Sequence, residues 1–237
     1  MGEHIVKTYD EELSGLRTRL AHMGGLAEEQ LAAAMNGLNG RDTALARNII
    51  DSDEKIDELE REIEEKAILV LAKRQPVAGD LREIVVALRL AMDLERIGDF
   101  AKNIAKRTFA IAEERPFREF GSLNRIGRLA LEQLKNVLDA YARKDAEKAL
   151  SVWHADEELD SLYNSLFREL LTYMMGDPRT IGTCTHLLFG AKNIERIGDH
   201  TTNIAENIYF LVHGEALDVK RPKGDTTSVA HIDYVEK

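Results

Sequence analysis

The chain of 237 residues predicts an all-α protein built as a tandem duplication of two antiparallel three-helix bundles. Three observations carry that expectation. Good helix formers (Ala, Leu, Glu, Arg and Lys) dominate, and Pro is limited to 4 residues. Apolar residues recur with the alternating 3–4 spacing of a helix that buries one stripe. The sequence also repeats itself: "DLERIGDFAKNIAK" at 93–106 returns as "NIERIGDHTTNIAE" at 193–206. Glu95, Arg96, Ile97, Gly98, Asp99, Asn103, Ile104 and Ala105 all recur 100 residues later.

The repeat reaches upstream at a slightly larger offset. Asp53, Glu54, Asp57 and Leu59 match Asp156, Glu157, Asp160 and Leu162 at 103 residues, as Leu26, Glu29, Leu31 and Asp42 match Leu129, Glu132, Leu134 and Asp145. A three-residue deletion before the second motif brings the offset to 100, so the natural parse is two copies of one unit. In the first copy a helix is expected from about Asp10 to Leu38. It ends in "NGLNGRD", with Gly and Asn at its C-cap and Asp42 as the next N-cap. A second helix runs to Arg74 before Pro76, and a third from Val77 to Glu114 before Pro116. In the second copy the breaks fall at "ARKDAE" and "MGDPRT", and the last helix ends at His213-Gly214. The expected division is 1–115, 116–214 and a flexible polar tail over 215–237.

The composition narrows the function. A net charge of −10 argues against nucleic acid as a partner, because phosphate binding needs a basic footprint. No run of 18 apolar residues offers a membrane span, and the charged start "MGEHIVKTYDEEL" lacks the apolar run of a signal peptide. The single cysteine, Cys184, excludes an internal disulfide and points to a reducing cytoplasm.

The repeated carboxylates are the candidate site. Leu187, Gly190, Ile194, Ile197, Thr201, Ile204, Ile208 and Leu211 form the apolar stripe of the last helix. At about 100° per residue, Glu195 and Asp199 fall on the opposite side, as Glu95 and Asp99 do in the first copy. Asp53 and Asp57 flank the stripe of Ile56, Leu59 and Ile63. All these carboxylates are expected at the surface or its edge. Asp57 lies 19 residues before Pro76 and Glu95 19 after it; Asp53 and Asp99 lie 23 before and after. Antiparallel helices of equal rise bring these pairs level, and Asp156, Asp160, Glu195 and Asp199 repeat the arrangement around Pro178. Four close carboxylates repel one another, which points to a cation held by hard oxygens: Mg²⁺, Ca²⁺, Mn²⁺ or iron. Asn103 and Asn203 extend the row by one turn and add an amide oxygen, while Arg96 and Arg196 read as carboxylate partners. Gly98 and Gly198 each cost about 1 kcal/mol inside a helix, which close approach of a ligand or neighbour explains. His200 has Phe100 as its counterpart, and His154, His186 and Trp153 read as packing residues.

Twin "ERIGD…NIA" motifs in two three-helix halves resemble the PhoU family, accessory proteins of the phosphate-specific transport system, over residues 5–214. The resemblance implies a bacterial cytoplasmic regulator that restrains the phosphate-starvation response. It also implies a homodimer that bridges the ATPase subunit of the phosphate ABC transporter and the sensor histidine kinase of the phosphate regulon, meeting the membrane only through these partners. Some members carry multinuclear iron on Glu(Asp)-x-x-x-Asp motifs, which match Asp53/Asp57, Glu95/Asp99, Asp156/Asp160 and Glu195/Asp199. Iron is therefore the metal the resemblance favours. The alternatives are a di-iron carboxylate metalloprotein and a metal-free helical scaffold. The former class uses inward Glu and Glu-x-x-His, and no His here has Glu three residues before it, so no enzyme is expected.

Overall fold

Capping aspartates mark where two of the helices begin. In the computed structural model, which describes residues 2–114, 121–219 and Thr227 with side chains from Asp10 onward, the chain forms seven α-helices. These are α1 (Gly2–Gly40), α2 (Thr43–Ser52), α3 (Glu54–Arg74), α4 (Ala78–Ala112), α5 (Gly121–Arg143), α6 (Ala146–Gly176) and α7 (Ile181–His213). A 3₁₀ turn, Pro178–Thr180, precedes α7, and no strand occurs among the described residues. Asp42 accepts the Leu45 N–H at 3.0 Å to start α2, and its duplicate Asp145 accepts the Lys148 N–H at 2.9 Å to start α6. Each such cap contributes about 1 kcal/mol. Gly214, at φ 81°, closes α7 in the left-handed conformation that glycine adopts without strain.

Two details differ from the sequence expectation. The left-handed residue ending α1 is Arg41 (φ 53°), neither Gly40 nor Asn39, and Lys144 (φ 52°) takes the same place after α5. The backbone closes identically in both, Asp42 N–H to Gly37 O and Asp145 N–H to Ala140 O, each at 2.9 Å. A side chain in that conformation costs about 1 kcal/mol. Here both are used: Arg41 donates to the Glu114 carbonyl at 2.8 Å and Lys144 Nζ to Glu83 at 2.9 Å. The second difference is the expected second helix, which is interrupted at Asp53 into α2 and α3. The Ser52 hydroxyl donates to the Ile49 carbonyl at 3.1 Å beside the break, a bond that Ser151, Thr201 and Thr202 also make inside unbroken helices. The duplicate of Ser52 is Ala155, which has no hydroxyl, and α6 runs through unbroken.

Packing places the motif helices at the centre. α4 lies against α1, α2, α3 and α7, while α7 lies against α4, α5 and α6. The expected stripe of α7 is buried throughout, as are Leu94, Ile97, Ala101 and Ile104 of α4. Buried apolar residues of both copies form one connected core. Each fully buried Leu or Ile there contributes about 1.5–3 kcal/mol.

The α4–α7 seam is antiparallel and nearly symmetric about Phe100 and His200, whose rings lie 5.5 Å apart. Arg107 sits over Phe189 at 4.9 Å, and at the duplicate positions Arg89 donates to Asn207 at 3.2 Å. Glu83 of α4 ties the copies together at one end, accepting from Arg17 of α1 and from Lys144. Beside it a cavity of about 620 Å³ opens between α1, α4, α5 and α7, walled by Leu90, Leu138 and Ile204. Among the described residues, no helix is long and apolar enough to cross a membrane. The expected boundary near 115 and most of the expected tail, 220–226 and 228–237, lie outside the described residues.

Candidate functional site

Two grooves, one between α3 and α4 and one between α6 and α7, collect the repeated carboxylates at matching height. In the first, Lys102 of α4 donates to both Asp99 and Asp53 of the facing helix end, which fixes Asp53 and Asp99 level with each other. Asp57 and Glu95 follow one turn along and feel each other's charge. In the second groove, a Cβ on Gly198 would stand 2.7 Å from Asp156 Oδ1, so Asp156 lies level with the Gly198–Asp199 turn. Further along, Lys192 sits over Tyr163 at 5.2 Å and reaches Glu195 at 2.8 Å. These contacts bracket Asp160 and Glu195 at one height.

Four of the eight carboxylates are buried, which corrects the expectation from the helical wheel for those four. Asp53, Asp156, Asp160 and Glu195 are each 4% exposed or less, and Asp57, Glu95, Asp99 and Asp199 are half-buried. The reason is that α4 and α7 are covered on several sides. The stripe read from the sequence meets the other helices of the core, while the opposite face turns into the groove against α3 or α6. The glycines permit that approach: a Cβ on Gly98 would lie 3.0 Å from Ile56 Cδ1, and one on Gly198 3.3 Å from both Leu159 methyls.

Crowding leaves an electrostatic mark. Burial, and then the Asp99 carboxylate, hold Glu95 above its ordinary pKa; burial, and then Asp53, do the same for Asp57. For Lys102 burial works to lower the pKa, but the bonds to Asp53 and Asp99 outweigh it and the net shift is upward.

The remaining predicted residues divide. Arg96 stays near its carboxylates, 3.6 Å from Glu95 and 3.8 Å from Asp99. Arg196 instead places its guanidinium over the Phe100 ring at 5.7 Å. Asn103 accepts from Lys106 at 3.3 Å, and the Asn203 amide turns across the seam to donate to Asp93 at 3.3 Å, away from the row it was expected to extend. His200 Nδ1 lies 2.8 Å from the same Asp93 oxygen. The second motif is therefore bonded to the first copy's helix. Trp153 is buried and donates to Glu206 at 2.9 Å, in keeping with a packing role.

Sequence reasoning missed four residues. Lys102 and Asp93 differ between the copies, so comparing repeats hides them. Gln30 and Gln133 are buried, and both side-chain amide atoms of each are without a hydrogen-bond partner among the described residues. They occupy duplicate positions 103 residues apart, a signal that was available. Gln30 Oε1 would lie 3.3 Å from a Cβ on Gly98, directly behind the first motif.

Comparison with known proteins places this geometry. The PhoU domain matches residues 20–108 and 123–208, one match for each copy. The chain belongs to the PhoU family. A relative from Caulobacter vibrioides, named phosphate-specific transport system accessory protein PhoU homolog, is 53% identical over 229 residues, 96% of this chain and all of that one. A relative of the same name from Rhizobium meliloti is 54% identical over 226 residues, 95% of each chain. The crystal structure of PhoU from Pseudomonas aeruginosa superposes with a TM-score of 0.84 at 41% identity, covering 87% of this chain and all of that one. The phosphate transport system regulatory protein PhoU from Streptococcus pneumoniae gives 0.83 at 31% identity, covering 89% and 100%. The all-α duplicated architecture is thus that of PhoU proteins.

Chemically, the donors in both grooves are hard oxygens that suit Mg²⁺, Ca²⁺, Mn²⁺ or iron. Among the described residues no three His, Cys, Asp or Glu side chains are already gathered as a metal-holding group. The second groove fits a cation by its donor set, with Gly198 leaving the space into which Asp156 Oδ1 projects. The first already contains the Lys102 ammonium between Asp53 and Asp99.

Proposed function

We propose that the chain is a cytoplasmic regulator accessory to phosphate-specific transport, one that restrains phosphate uptake and phosphate-starvation signalling. The observation that carries this reading is the end-to-end likeness to relatives bearing the accessory-protein name. It acts as an adaptor and catalyses no reaction. Its partners are the ATPase subunit of the phosphate ABC transporter and the sensor histidine kinase of the phosphate regulon. It works as a homodimer that reaches the membrane only through those partners. Asp156, Asp160, Glu195 and Asp199 hold a metal in the second groove, iron by family resemblance. A bound cation would offset the carboxylate charge and tie α6 to α7. The side chains themselves set the groove: Asp156 projects past Gly198, and Lys192 bonds Glu195 at the far end.

The test is complementation. In a bacterium lacking its own family member, the chain restores repression of a phosphate-starvation reporter in phosphate-rich medium and co-purifies with the transporter's ATPase subunit. A reporter that stays active although the chain is folded and abundant would overturn the regulatory reading. Elemental analysis of protein purified without chelator, compared with Glu195→Ala/Asp199→Ala, tests the metal. Equal metal content in the two proteins removes the second groove as its site.

A further inference from the structure

The grooves are copies, yet the ions built into them differ. In the first, Lys102 follows Asp99 by three residues, and its ammonium bonds Asp99 Oδ1 at 2.6 Å and also Asp53 Oδ2 on the neighbouring helix. It therefore joins carboxylates of two different elements, at the level where a bridging cation would sit. The lysine side chain is 21% exposed and that of Asp53 6%, so the contact is largely shielded from water and salt. The duplicate position is Thr202, whose hydroxyl donates to the Asp199 carbonyl at 2.7 Å. The second groove's lysine, Lys192, bonds Glu195 from the opposite end, where the first copy has Met92.

We propose that Lys102 is the resident cation of the first groove, neutralising the Asp53–Asp99 level without a metal and closing that level to divalent ions. An ammonium supplies one positive charge and three donors on a tethered chain, so it satisfies two carboxylates permanently and independently of metal supply. A divalent ion entering there must displace it, leaving Lys102 largely buried without its partners. This level is thus a structural clamp between α3 and α4, and metal responsiveness is confined to levels that Lys102 does not occupy. The contrast with the second groove rests on the metal reading above; the role of Lys102 in the first does not.

The experiment compares full-length wild type with Lys102→Thr, Lys102→Arg and Lys102→Thr/Asp53→Asn, using Mn²⁺ as probe. Lys102→Thr installs the residue that the second copy carries. In chelator it melts roughly 5 °C below wild type, and Mn²⁺ restores it with one further equivalent bound per chain. Lys102→Arg gains no Mn²⁺. Should Lys102→Thr not fold in chelator, its rescue by Asp53→Asn, which removes the uncompensated buried charge, serves as the same readout. A Lys102→Thr protein as stable as wild type with no added Mn²⁺ overturns the proposal. So does wild-type metal that Asp53→Asn alone releases and Glu195→Ala/Asp199→Ala retains. Absence of metal from the second groove is read separately, from Glu195→Ala/Asp199→Ala, and overturns the metal reading alone.

Discussion

Three glycine-to-alanine changes measure how tightly the second motif is packed. Gly25 lies on the exposed side of α1, and a Cβ there meets nothing within 4 Å. Its replacement gains the full helix-propensity difference, about 1 kcal/mol. At Gly98 the same gain is opposed by Ile56 Cδ1 at 3.0 Å and Gln30 Oε1 at 3.3 Å, both ends of flexible side chains, so the change is expected near neutral. At Gly198 the added carbon meets Asp156 Oδ1 at 2.7 Å and both Leu159 methyls at 3.3 Å. Asp156 is short and 1% exposed, with little room to withdraw. Overpacking of this kind costs about 1–3 kcal/mol, so Gly198→Ala is expected to be destabilising by about 1 kcal/mol net. The extremes should differ by about 2 kcal/mol, or roughly 4–8 °C in melting temperature at this chain length. Thermal and urea unfolding in chelator-containing buffer measure the series. If Gly198→Ala stabilises as much as Gly25→Ala, the close approach of α6 to α7 is refuted.

Other expectations concern charge and buried polarity. Burial raises the pKa of Glu83, but bonds from Arg17 and Lys144 outweigh it and lower it below 4.5. Its stabilisation is therefore present above pH 4.5 and lost as the pH falls through the depressed folded value. Glu83→Gln should cost about 1–2 kcal/mol at pH 7, given the exposure of both partners, and less in acid; urea titrations at several pH values decide. Glu95 and Asp57 have the opposite sign. Their raised folded values mean that the metal-free protein gains stability as the pH falls through those values toward 4.5 and 3.8. Glu95→Gln in chelator should thus raise stability by about 0.5 kcal/mol at pH 7, with the gain vanishing near pH 4. A gain that grows in acid contradicts the assigned cause. Gln30→Leu and Gln133→Leu exchange buried amides for apolar groups of similar size and should be neutral or stabilising by about 1 kcal/mol. A loss larger than that in unfolding experiments would show that the amides have partners beyond those described.

How much of this was legible in the sequence depends on how many neighbours each helix has. Helix starts marked by Asp42 and Asp145 were readable because a cap acts within three residues. The core stripe from Leu187 to Leu211 was readable because it follows one periodicity. The level pairing of carboxylates across Pro76 needed only a constant rise per residue. Their burial was not readable, because a single-stripe reading assumes one packed side and α4 and α7 have more. The interruption at Asp53 was not readable either: the Ser52 hydroxyl beside it makes the same bond that Ser151 and Thr201 make inside unbroken helices. Asp93 escaped notice because its partners, His200 and Asn203, belong to the other copy.

The seam between α4 and α7 also bears on how such a chain can evolve. In a true twofold dimer of one unit, the residue on the axis must face its own copy, and any change to it is made twice. Here the axis passes between Phe100 and His200. Joining both units in one polypeptide lifts that constraint, so an aromatic hydrocarbon ring can lie tilted against an imidazole that bonds Asp93, a pairing no exact dimer could hold at its axis. Lys102 opposite Thr202 shows the same freedom within the grooves. Two copies in one chain keep the scaffold of a symmetric pair while their side chains differ at the seam and in the grooves.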